Sequence, residues 1–204
     1  MGIKERREKA KDNLRQEIFE AASELFAKEG IANVSMRKIA EKIEYSPTTI
    51  YLYFKDKTTL LHQICEETFA KLAIEVTKIR EETNNPMEIL RGGMKAYIEF
   101  GLKHPNHYEV VFIAPLDSYI EEGFEYSFDN SMGKIAFEKL VESVVACIDA
   151  GVIKNGDIEL ISQTLWAGMH GLTSLLIGHT EFPFVEKERL IESLIETMIK
   201  GLQD

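Results

Sequence analysis

The chain's 204 residues suffice for one large domain or two small ones, and an apolar fraction of 45% supports a buried core. With 5 Pro and 13 Gly it is not a low-complexity chain, 2 Cys do not make a disulfide framework, and no apolar run reaches the roughly 20 residues that span a bilayer. The net charge of −10 is uneven: residues 1–60 hold 12 Lys and Arg against 10 Asp and Glu, a net of +2, which leaves −12 for the remainder. Only the N-terminal end can therefore approach a polyanion, while the acidic remainder favours solubility. The charged start, Met1 to Lys11, lacks the apolar segment of a secretory signal, so a reducing cytoplasm is the expected compartment.

Residues 4–15 interleave Lys4, Arg6, Arg7, Lys9, Lys11 and Arg15 with Glu5, Glu8 and Asp12. This is either a solvated helix end or an arm that contacts phosphates without reading sequence. From Leu14 the helical spacing is clear through Ile18, Ala21, Ala22, Leu25 and Phe26, and Gly30 ends it. Ile31 and Val34 lead to Ser35, which can cap a short helix with the apolar face Ile39, Ala40 and Ile43. Ser46 can cap a second short helix, and Pro47 suits its first position, where no amide hydrogen is needed. Ile50, Tyr51 and Phe54 are expected inward, leaving Pro47, Thr48, Thr49, Leu52 and Tyr53 nearer the outside. Small polar residues at the exposed tip of such a helix suit the major groove of DNA.

The pattern Ile39-Ala40, Ser46, Thr49, Ile50-Tyr51, Tyr53-Phe54, Lys55-Asp56-Lys57 and Leu60-Leu61 resembles the helix-turn-helix segment of TetR-family transcriptional regulators over about residues 12–65. The Tyr-x-x-Phe-x-x-Lys ending makes it more specific than a generic helix-turn-helix. Where the family usually has Gly in the turn, this chain has Glu44, and a non-Gly residue at positive φ costs roughly 1–2 kcal/mol. The resemblance implies DNA contacts by Arg37, Ser46, Pro47, Thr48, Thr49, Tyr51, Tyr53 and Lys57. Arg37 can meet a guanine edge or stay a solvated helix residue. Thr48 and Thr49 can meet a base, and Tyr51, Tyr53 and Lys57 a phosphate.

After Lys57 a long helix is expected to about Arg80, with Leu60, Leu61, Ile64, Phe69, Leu72 and Val76 inward, and Asn84-Asn85-Pro86 stops it. The remainder reads as all helix: Met87 to Lys103, Tyr108 to Ile113, Ser131 to Ala150 closed by Gly151, Asp157 to about Gly178, and Glu186 to Gly201, with residues 117–130 ambiguous. No alternating strand pattern or repeat is visible. Trp166-Ala167-Gly168-Met169-His170-Gly171 resembles the Trp-x-x-x-His-Gly signature of a subgroup of TetR-type regulatory domains. The expected architecture is all-α: a three-helix helix-turn-helix domain over residues 1–58, then a helical ligand-binding and dimerisation domain over residues 59–204.

Many apolar residues of the body must be plain core. The candidate effector residues are Tyr97, Phe100, His104, Tyr108, Phe112, Trp166, Met169 and His170, aromatic walls with a few polar anchors. The candidate dimer residues are Leu165, Met169, Leu172 and Leu176, with Ile191, Ile195, Met198 and Leu202 from the last helix, whose apolar pairs repeat every four residues. His62-x-x-Cys65 has no matching partner pair for a metal, and no nucleophile or phosphate-loop motif is present. Neither a cofactor, a metal nor an enzymatic activity is expected. The reading is a homodimeric regulator, most simply a repressor, that binds a palindromic operator and is released by a small, mainly apolar effector. A small-molecule carrier or sensor on the same fold is the alternative.

Overall fold

The computed structural model describes residues 2–114 and 127–203; the segment from Pro115, and most of the stretch read as ambiguous, lie outside the described residues. Every regular element among them is helical: α1 Ile3–Glu29, α2 Met36–Lys42, α3 Pro47–Tyr51, α4 Lys57–Glu82, α5 Pro86–Lys103, α6 Pro105–Tyr108, α7 Met132–Asp149, α8 Ile158–Gly178 and α9 Lys187–Gln203. Short 3-10 turns occupy Ile31–Asn33 and Phe128–Asn130, and Glu109–Ile113 forms a π turn after α6. The caps explain most of the helix starts. Ser35, Ser46, Ser131 and Asp157 each accept the backbone N–H three residues on, and Asn85 accepts those of Met87 and Glu88.

Two compact units result, one combining Met1–Thr68 with Asn106–Tyr126, the other Phe69–Pro105 with Ser127–Asp204. The boundary expected at residue 58 falls within the first of these units. The first turns of α4 bury Leu60, Leu61 and Ile64 with the N-terminal helices, and Val110 joins the same core from far along the chain.

In the first unit, Ile18, Phe19, Ala22 and Phe26 of α1 meet Ile39 and Ala40 of α2, Ile50 of α3, and Phe54. Arg15 contributes to this fold. Its guanidinium lies 4.6 Å from the Phe19 ring centre, donates to Gln63 at 2.7 Å and pairs with Glu67, tying α1 to α4. It is therefore committed within the unit, unlike the exposed Lys4 to Lys11.

α2 ends in a Schellman turn. Glu44 N–H donates to Glu41 O at 3.2 Å and Tyr45 N–H to Ala40 O at 3.0 Å, and Glu44 sits at φ 60°. Glycine takes this conformation without strain, so Glu44→Gly is expected to raise the melting temperature by roughly 1–3 °C, while Glu44→Ala leaves it unchanged. Calorimetry of the two variants checks this.

In the second unit, α5 packs against α7, α8 and α9. Leu90, Met94 and Ile98 form its buried stripe, meeting a core that includes Val144, Leu165, Met169, Ile191, Ile195 and Ile199. At Gly168 a Cβ would lie 2.6 Å from Met198 Cε, so α8 and α9 approach closely there. Arg80 holds the end of α4 to α7 through Glu142 at 2.7 Å and the Lys139 carbonyl at 3.2 Å. Burial pushes the Cys65 thiol up to about 12, with nearby Glu66 adding to the shift, and burial also raises Cys147. Neither is a ready thiolate. Among the described residues no helix is long and apolar enough to cross a membrane, and no group of three metal-ligating side chains forms, around His62 and Cys65 or elsewhere.

Candidate nucleic-acid interface

α3 has five residues, too few to be stable as an isolated helix. Ile50 seals it to the core, and Ser46 closes its first turn: its Oγ accepts from Thr49 N–H and lies 3.0 Å from Thr49 Oγ1. Pro47 and Thr49 are half-buried, while Ser46 and Thr48 are exposed. One expectation is reversed here. Tyr51 points outward, 53% exposed, and Tyr53 lies against the core with its ring 6.4 Å from that of Phe54. The cause is helical spacing. Tyr53 and Phe54 N–H groups both donate to Ile50 O, so these residues continue the Ile50 face, whereas Tyr51 is about 100° around the helix.

The outward face therefore carries Thr48, Tyr51 and Leu52, the last 78% exposed, with Tyr45 exposed before the helix and Lys55 after it. Arg37 projects from the first turn of α2, also exposed, its Nε 2.9 Å from Glu41 Oε1. A pair this open is held weakly and can be exchanged for a base or phosphate. Tyr45, Leu52 and Lys55 share this exposed surface although they are not among the contacts expected from sequence. Leu52 was at least expected outside, and Tyr45 adjoins the cap.

The other cations of the segment are paired within the unit. Lys38 pairs with Glu29, and Lys42 with Glu24 at 2.9 Å, both on α1. Lys57 donates to the carbonyls of Ile31 and Val34 at 3.0 and 3.1 Å. Two of its three donors are thus committed within the unit, which differs from the open phosphate contact expected. Asp56 caps α4 by accepting from Thr59 N–H at 2.7 Å, and hydrogen bonding from the Thr59 side chain and backbone lowers its carboxyl from the ordinary value.

The structure separates the candidate effector residues. In the second unit Trp166 Nε1 donates to the hydroxyl of buried Tyr97 at 3.2 Å, with Phe137 edge-on at 6.2 Å and His170 at 6.0 Å. Burial lowers His170 from the ordinary histidine value, which favours its neutral ring. Buried Phe100 lies 4.9 Å from the half-buried His104 ring, and Met169 is fully core. Tyr108 and Phe112, whose rings lie 4.6 Å apart, belong to the first unit.

The candidate dimer residues also divide. Leu165, Met169, Ile191 and Ile195 are buried within the single chain. Leu172, Leu176, Met198 and Leu202 are half-buried. In each apolar pair of α9 the second member, Ile191, Ile195 or Ile199, turns inward, and the first, Leu190, Leu194 or Met198, lies at the edge.

A family model of bacterial regulatory proteins of the tetR family matches residues 18–64, and one of the tetracyclin repressor-like C-terminal domain matches residues 90–198, more than half of the chain. The latter describes the body at that level, not at that of the Trp-x-x-x-His-Gly subtype. An HTH-type transcriptional regulator of Staphylococcus aureus (strain MRSA252) is 30% identical over 98 residues, 48% of this chain and 52% of that protein. The chain thus matches about half of that relative's length. A TetR family transcription regulator from Marinobacter aquaeolei VT8 shares the fold at a TM-score of 0.77 and 20% identity, covering 97% of this chain and 99% of that one. The fatty acid degradation regulator FadR from Bacillus halodurans shares it at a TM-score of 0.76 and 18% identity, covering 92% and 95%. With its capped five-residue helix presented on a three-helix core and both family models matched, the chain is a member of the tetR family of DNA-binding transcriptional regulators.

Proposed function

We propose that the protein is a cytoplasmic, homodimeric repressor that binds a palindromic operator and is released by a small, mainly apolar effector. The observation that carries the DNA-reading part is the outward face of α3. Thr48 offers a hydroxyl and a methyl to base edges, Tyr51 a hydroxyl to a phosphate, and Leu52 an apolar contact, with Arg37 and Lys55 alongside. Selection of bound genome fragments tests this. A recovered site with two similar half-sites about one helical turn apart supports the dimer, and a single half-site opposes it.

Thr48→Ala is expected to change the preferred base at one position of each half-site, at roughly 1–3 kcal/mol of discrimination. An equal loss on every duplex would make Thr48 a backbone contact instead.

For the dimer, α8 leaves Leu160, Thr164, Ala167 and Leu175 exposed at helical spacing, with Gly171 between them. The edge of α9 adds Leu190, Leu194 and Met198. Small residues in the middle of the α8 stripe let two helices approach closely, and a two-fold axis there would form a four-helix bundle.

For the effector, the reading rests on Tyr97, Trp166, His170 and Phe137, an aromatic group with polar handles and an imidazole. The FadR likeness supports the fold of this part and carries no ligand. Trp166 is 38% exposed, so its fluorescence is expected to respond to effector, and Trp166→Phe to change effector affinity more than melting temperature. A purely structural indole gives the opposite ranking. Effector and operator must also weaken each other's binding by the same factor.

A further inference from the structure

The triplet Lys55-Asp56-Lys57 divides its work. Lys55 is exposed, Asp56 caps α4, and Lys57 turns back to the carbonyls of Ile31 and Val34. Val34 immediately precedes Ser35, the cap of α2, and Lys57 is the first residue of α4. The two are 23 residues apart, and everything between them is the helix-turn-helix. We propose that Lys57 is a positioning residue rather than a phosphate contact: its ammonium ties the two ends of the helix-turn-helix together and so sets how Arg37 and α3 are presented to DNA.

A charged donor shared by two carbonyls makes stronger bonds than a neutral one, and its half-buried setting screens it little from them. The tie matters because the segment it closes cannot order itself. α2 has seven residues and α3 five, both far below the length at which a helix is stable alone. Ile39, Ile50 and Phe54 hold the segment from inside, on its core face. Lys57 holds it at its ends, by hydrogen bonds from the start of α4 to the Ile31 and Val34 carbonyls. An ammonium spent on carbonyls releases no counterion on DNA binding, whereas one meeting a phosphate does.

The proposal rests on the DNA-binding reading for one of its two measurements and is independent of it for the other. The full chain carrying Lys57→Met is compared with wild type and Lys55→Met. The readouts are the salt slope for a duplex recovered by fragment selection and amide hydrogen exchange over residues 35–51. For Lys57→Met the expected result is binding weakened roughly tenfold or more with the wild-type salt slope, and faster exchange in α2 and α3. For Lys55→Met it is a slope reduced by about one unit with exchange unchanged. A slope reduced by about one unit in Lys57→Met makes it a phosphate contact and overturns the proposal, as does unchanged exchange in that variant. Should Lys57→Met fail to fold, Lys57→Gln, which loses the charge and keeps a donor, is judged by the same two outcomes. If wild type binds no duplex, the DNA-binding reading fails, and the exchange result still decides whether Lys57 ties the segment.

Discussion

Ile195→Glu is expected to abolish the cooperative unfolding transition and leave no folded protein. Ile195 is 2% exposed within the single chain, in the core that α9 shares with the rest of the second unit. Replacing it removes a packed side chain and buries a carboxylate with no partner, which together cost more than about 4–5 kcal/mol. A domain's whole stability is about 5–15 kcal/mol. Leu194→Glu, one residue away on the half-buried edge, is expected to stay folded. Circular dichroism melts of the pair separate the two edges. A well-folded Ile195→Glu protein would mean that α9 is turned the other way.

Ala167→Glu is expected to do the reverse: fold normally and lose its partner. Ala167 is exposed on the single chain, so a longer side chain meets solvent and the melting temperature of the monomer changes little. Across a two-fold axis, however, the substitution sets two carboxylates against each other where close approach needs a small residue. Sedimentation should then give a monomer. Operator affinity should fall by more than about a hundredfold, since a single reading head keeps only half of the phosphate and base contacts. A dimer that persists with full affinity would place the interface elsewhere.

How much of this was legible in the sequence follows from the range of each interaction. Caps act over three residues, so Ser35, Ser46, Asp157 and the turn at Glu44 could be read directly. Periodicity reveals an apolar band but not which of its edges faces the core, and for that reason Ile195 and Met198 could not be told apart. Tyr51 and Tyr53 were exchanged because one apolar neighbour was counted as facing with Ile50. The bonds of Lys57 and Arg15 join residues 23 or more apart, and nothing local marks them. α6 has four residues, too few for a periodic signal, so its association with the N-terminal helices emerges only in three dimensions, where His107 lies 3.0 Å from Glu20 of α1 and Val110 just after it joins the same core.

The central claim is that the outward face of α3 reads duplex DNA. The most direct measurement is the binding constant for a fragment-selected duplex as a function of salt, for wild type and for Tyr51→Glu. The account predicts saturable binding whose logarithm falls linearly with log salt, by about 0.9 per phosphate contacted, and its loss in Tyr51→Glu with folding intact. Wild-type binding without salt dependence, or equal binding by Tyr51→Glu, would contradict it.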